Sequence, residues 1–295
     1  MDLQGIGTAA TLALACAIVF VLAAKSWHLL VRTLASTPNF ADSILSESAE
    51  RFRDELRSLS FRQSTYLGAG LVFTVMYTLA SLFESPPIYA GYPDWQLYIV
   101  FTTLAAAAAF AAWRLTASFG RWRRVRLIHD ANLAIGHQLH RAASAHGRAY
   151  HDVPTATGVV DHVLVGPSGI YAVSVLAERT SRGGTVRLDG NEVLFSNRPD
   201  QGISVVDLTA PATRLARELT QMTGRNIRIR SVIATPGWHV EEQRSQQHLL
   251  VNERTLPMIR GWKDRSDYLL DEDVETIQDE LTRRCVRRMA RQRKR

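Results

Sequence analysis

The sequence predicts an α/β domain with a mixed sheet flanked by helices, preceded by a three-helix transmembrane region. Three observations predict this class. Residues 1–115 hold three long uncharged apolar runs, and residues 116–295 are polar and mixed. Within the second part, short apolar stretches bounded by Gly, Pro and Asp alternate with segments of helical periodicity, the pattern of a mixed α/β sheet. A chain of 295 residues is long enough for one or two such domains.

The first apolar run, residues 6–24, is long enough to cross about 30 Å of hydrocarbon at about 1.5 Å per residue. A cleavable signal is disfavoured, because "MDLQG" carries an acid and no base. The second run covers residues 66–83 and the third residues 95–113, with Trp95 and Trp113 placed as interfacial anchors. Lys and Arg crowd the loop from Lys25 to Thr65 and the segment after Arg114, while residues 84–94 carry none. The positive-inside rule then predicts a multi-pass protein of a bacterial-type inner membrane, N-terminus outside and C-terminal domain cytoplasmic. Between the first two runs, residues 42–61 show helical spacing of Ile44, Leu45, Phe52, Leu56 and Leu59 among charges, an amphipathic connector.

Charge narrows the partners. The net charge is +7, but the tail "RRCVRRMARQRKR" alone contributes eight basic residues and no acid. Residues 127–282 hold 16 basic and 20 acidic side chains, so no general polyanion-binding surface is implied for the globular part. The tail is the candidate contact for nucleic acid or anionic lipid beside a bilayer, through Arg287, Arg288, Arg291, Arg293, Lys294 and Arg295. Cys16 and Cys285 form no disulfide framework or metal spacing, which suits a reducing compartment.

The globular elements follow in order. Leu127, Leu133, Ile135 and Leu139 give an amphipathic helix over residues 125–145. "VVDHVLV" (159–165), "GIYAVSVL" (169–176) and "TVRLDGNEVLF" (185–195) read as strands, the last a hairpin turning at Asp-Gly-Asn. A helix follows over about 212–222, ended by Gly224, and then the strand "IRIRSVIATP" (227–236). Asp271 caps a C-terminal helix that runs into the basic tail, giving a third division at 271–295.

"ANLAIGHQLH", "YHDVPTATGVVDHVLVGPSGIYAV" and "IRSVIATPGWHV", in this order, resemble the nuclease-related domain (NERD), a branch of the PD-(D/E)XK restriction-endonuclease-like fold. The resemblance covers about residues 125–262, within a domain placed at 121–270. It implies a site made by a helical Gly-Glu, an Ile-Asp-His strand and a Glu-x-Lys strand. In such a site carboxylates hold Mg²⁺ and a lysine positions water at a phosphodiester. Here Asp161 stands at the aspartate position, the one candidate metal ligand. Asn132 replaces the helical glutamate, Ser174 the strand glutamate and Leu176 the lysine. A hydroxyl is a poor Mg²⁺ ligand and leucine donates nothing, so the reading is a degenerate, non-catalytic nuclease fold used in binding or scaffolding.

The alternatives are a membrane-bound Mg²⁺-dependent nuclease with relocated groups such as Glu178, and an envelope or transport-associated subunit. His137, His140 and His162 could gather a transition metal, although surface histidines are the commoner arrangement. Trp238 and Trp262 could stack on bases, although packing is the commoner use.

Overall fold

The computed structural model describes residues 48–82, 93–143, 147–179, 183–241, 247–262 and 268–293. Four helices are described, α1 (Glu50–Leu82), α2 (Asp94–Ala142), α3 (Val205–Thr223) and α4 (Asp271–Arg293). The chain divides into two compact units, residues 1–39 with 55–123 and residues 40–54 with 124–295.

In the first unit α1 and α2 run antiparallel. Arg121 pairs with Glu55 at 2.8 Å, Arg114 donates to the Tyr66 hydroxyl at 3.3 Å, and Gly70 faces Ala111. Residues 66–83 and 95–113, expected as the second and third spans, fall largely within these helices. Among the described residues no helix is long and apolar enough to cross a membrane. The three-span membrane region, the multi-pass inner-membrane placement and its orientation are corrected accordingly. The first run, residues 6–24, lies outside the described residues, as do residues 42–47 of the expected amphipathic connector.

The second unit carries the sheets. β1 (Arg148–Thr155), β2 (Gly158–Gly166) and β3 (Gly169–Val175) form an antiparallel meander. β7 (Ile229–Ala234) and β9 (His248–Val251) extend it in parallel, in the order β1-β2-β3-β7-β9. A smaller sheet, in the order β6-β5-β4-β8, joins β4 (Thr185–Asp189), β5 (Glu192–Phe195), β6 (Arg198–Ser204) and β8 (His239–Val240).

Both faces of the large sheet are buried, as a partly parallel sheet requires. On one face Val163, Val165, Ile170 and Ala172 pack against Leu215 and Leu219 of α3 and Ile277 and Leu281 of α4. On the other, Leu164, Tyr171, Val173 and Val232 meet Ile135 and Leu139 of α2 and the short 3-10 helix Leu256–Arg260. The small sheet closes on Trp238, Phe195, Ile233 and Leu250. The Asp189-Gly190-Asn191 turn joins β4 to β5, and Gly190 takes φ 57, a left-handed value that glycine adopts at little cost. α3 starts seven residues before the apolar periodicity suggests, directly after β6, and Gly224 at φ 69 closes it.

Candidate functional site

Asp161 lies on β2, and the register that pairs His162 with Val173 carries it to the level of Ser174 on β3. One carboxylate oxygen accepts from the Val175 N–H at 2.8 Å, and the other accepts from the guanidinium of Arg51. Arg51 belongs to the first turn of α1, in residues 40–54 that pack with the second unit. The same guanidinium meets Asp152 of β1 at 3.2 Å. Asp152 is 2% exposed and faces Arg288 of α4 at 3.6 Å, and Arg288 also donates to the Asp152 carbonyl.

Two carboxylates from neighbouring strands thus converge on one arginine, with a second arginine behind. Burial raises the pKa of both acids from the ordinary carboxylate value, against the opposing pull of Arg51.

The backbone here is strained. Asp152 has φ 54 and Ala49, two residues before Arg51, has φ 66, and these are the two non-glycine residues with positive φ among those described. Ser48 and Ala49 are buried against α2, where the Ser48 hydroxyl donates to the Asn132 carbonyl at 2.8 Å. Gly136 makes that approach possible, since a Cβ there would stand 2.2 Å from Ser48 Oγ.

The other expected positions are committed elsewhere. Asn132 is buried and its side-chain amide donates to the Ile128 carbonyl at 2.8 Å, one turn back on α2. The Ser174 hydroxyl donates to the Leu208 carbonyl of α3 at 2.9 Å. Leu176, just past β3, donates its N–H to the Ala234 carbonyl and packs on the cluster around Trp238. Leu208 belongs to that same cluster, so Ser174 and Leu176 both reach the α3 side of the sheet. Glu178, the candidate relocated acid, pairs with Arg198 at 2.9 Å.

Next to this centre a chain of three imidazoles crosses from surface to core. His140 Nε2 lies 3.0 Å from His151 Nε2, and His151 Nδ1 lies 2.7 Å from His162 Nδ1. His140 is exposed on α2, His151 is 2% exposed and His162 is fully buried. Burial lowers the pKa of His151 to about 4, helped by His140 and His137, and pushes His162 well below its ordinary value. The structure therefore joins His140 and His162 through His151, a residue that no motif in the sequence singles out. Among the described residues no group of three or more His, Cys, Asp or Glu could hold a metal ion. Mg²⁺ does not fit this centre: its two carboxylates already share a guanidinium, and Ser174, Leu176 and Asn132 offer no further ligand there.

Of the tail residues, Arg287 is exposed and Arg288 is tied to Asp152, while the side chains of Arg291, Arg293, Lys294 and Arg295 lie outside the described residues. A cleft of about 390 Å³ between the β1–β2 turn and α4 is lined by Arg284, Arg287 and Arg288 and by Glu218 and Glu280. Arg284 is spent within it, bridging Glu218 and, at 2.9 Å, Glu280. Trp238 is buried against Phe195 with ring centres 4.7 Å apart, and Trp262 carries the Arg230 guanidinium at 4.7 Å from its ring centre.

Arg51, Asp152 and His151 are members of the centre that sequence reasoning misses, and Arg288, expected as a polyanion contact of the tail, is found tied to Asp152. Asp152 and His151 sit inside the quoted "YHDVPT", but Arg51 and Arg288 are more than 100 residues away on either side and carry no local signal. Compared with models of known protein families, with curated proteins and with solved structures, the chain shows no match.

Proposed function

We propose that residues 40–54 and 124–295 form a degenerate nuclease-like unit that serves in binding or scaffolding and does not cleave phosphodiesters. One observation carries the reading: both oxygens of Asp161, the single retained acid of the resembled motif, are already engaged, by Arg51 and by the Val175 N–H. Metal-assisted hydrolysis needs carboxylates free to bind the ion and a cation free to meet the phosphate. Here the nearest cation neutralises the carboxylates instead. The relocated-nuclease alternative loses its candidate acid, because Glu178 is paired with Arg198. The basic tail is proposed as the polyanion contact, for nucleic acid or anionic lipid.

The test is incubation of the full-length chain with single- and double-stranded DNA and RNA in Mg²⁺ or Mn²⁺. No cleavage is expected. Cleavage that disappears in Asp161→Ala overturns the reading.

A further inference from the structure

Residues 48–54 and the histidine chain share one patch of α2. Above Gly136 stand both Ser48, whose Cβ would be 2.6 Å from a Cβ added there, and His151, whose Cε1 would be 3.6 Å away. The segment docks through three unlike contacts, Ser48 on the Asn132 carbonyl, buried Ala49, and Arg51 between Asp152 and Asp161. It does so with positive φ at both Ala49 and Asp152. Positive φ at a non-glycine residue carries a local cost that undocking of the segment would relieve.

The imidazole chain has the geometry of a proton path from solvent. The ring centres of His151 and His162 are 4.9 Å apart and their bonded nitrogens 2.7 Å, a difference of nearly two ring radii. The nitrogens therefore point straight at one another, as in a hydrogen bond and unlike two ligands angled at a common ion. His140 and His151 approach this alignment at 5.0 Å and 3.0 Å. In the neutral chain each bond has one N–H donor and one lone-pair acceptor. An added proton makes His151 a double donor, with a neutral imidazole accepting on either side.

We propose that residues 48–54 are an acid-released strap: a proton entering at His140 and held at His151 drives Arg51 off Asp152 and Asp161. His151 meets His140 of α2 and His162 of β2 directly, feels His137 of α2, and has Cys285 of α4 at its carbonyl; Asp152 follows it on β1 beside Glu50, Arg51 and Arg288, and Arg51 acts on His162, the neighbour of Asp161 on β2. Arg51, Arg288, Asp152 and Asp161 cancel in charge. One further positive charge repels Arg51 and competes for the same carboxylates, so both effects loosen the strap. Release uncovers Asp152, Asp161 and the α2 surface at Asn132 and Gly136. This deepens the proposed binding role by giving the unit a concealed face, but the switch stands whether or not the unit also cleaves nucleic acid.

Hydrogen exchange of the full-length chain, corrected for intrinsic rates, tests it between about pH 7 and about pH 4.5. Amides of residues 50–54 are expected to exchange about tenfold faster at the lower pH while those of β3 and β7 stay protected. In His151→Gln the acid response disappears, and in Arg51→Gln exchange is already fast at neutral pH. If His151→Gln does not fold by circular dichroism, His140→Gln takes its place and is expected to lose the response as well. An unchanged wild-type strap, loss of β3 protection together with the strap, or an undiminished response in the histidine variant that folds overturns the proposal.

Discussion

At the level of single residues, Arg51 and His151 carry the largest consequences. Removing one partner of a buried ion pair commonly costs about 3–5 kcal/mol, because the remaining charge has no compensation. Arg51 retains 27% side-chain exposure and Arg288 still faces Asp152, so Arg51→Met is expected to cost about 2 kcal/mol, read from the urea midpoint at neutral pH. His151 sets the pH dependence. Its folded pKa is about 4, against about 6.5 in an unfolded chain, so between these values the unfolded state binds the extra proton and stability falls as pH falls. The difference corresponds to about 3 kcal/mol, and His151→Gln should remove that part of the acid loss from a series of urea midpoints. His162 acts with the same sign. Asp152 and Asp161 act against it: their raised values mean that the folded state takes up protons first, so their contribution grows on acidification and is lost as pH rises through the folded pKa.

At the level of elements, the contact between the strap and α2 has a test whose sign is informative. Gly136 lies inside a helix, where replacing Gly by Ala ordinarily stabilises by about 0.5–1 kcal/mol. Here the new methyl would stand 2.2 Å from Ser48 Oγ, so Gly136→Ala is expected to destabilise, or to leave stability level while residues 50–54 lose exchange protection. Pairing it with Ser48→Gly removes the obstructing atoms and should recover the helix gain, a double-mutant cycle that isolates the contact. The elements differ in how plainly the sequence announces them. The hairpin β4–β5 is signalled by Asp-Gly-Asn, and β2 and β3 by apolar runs around Gly-Pro-Ser-Gly, because turn chemistry is local. β1 is not: "RAYHDVPT" holds His, Asp and Pro in a strand whose polar members face a centre completed from elsewhere. β6, "RPDQGIS", carries loop composition and is mostly exposed, so only its pairing with β5 makes it a strand. Asn132, Ser174 and Leu176 can be singled out in the sequence one by one. That Arg51 meets Asp161 cannot, since a contact spanning 110 residues leaves no periodicity behind.

For the whole molecule, the membrane assignment drawn from composition does not survive. Uncharged length suggests a span, whereas among the described residues no helix is long and apolar enough to cross a membrane. The C-terminal helix shows how one segment can serve both stability and charge, and truncation separates the two. Val274, Ile277, Leu281 and Cys285 are buried in the core against β1 and β2, and Arg288 reaches Asp152. Each large side chain of this kind contributes about 2–5 kcal/mol when cut to alanine, so a chain ending at Leu270 forfeits more than a domain of this size has in reserve. It is expected to show no cooperative unfolding transition by calorimetry. A chain ending at Arg288 keeps every one of those interactions and omits Arg291, Arg293, Lys294 and Arg295, four of the eight tail charges. Its melting temperature should match that of the full chain. If the tail holds nucleic acid through its phosphates, the affinity for a single-stranded oligonucleotide should fall and the slope of log affinity against log salt should become shallower by about 0.7 for each phosphate no longer neutralised. An unchanged slope would remove the tail from the binding surface and leave the face beneath the strap as the place to seek a partner.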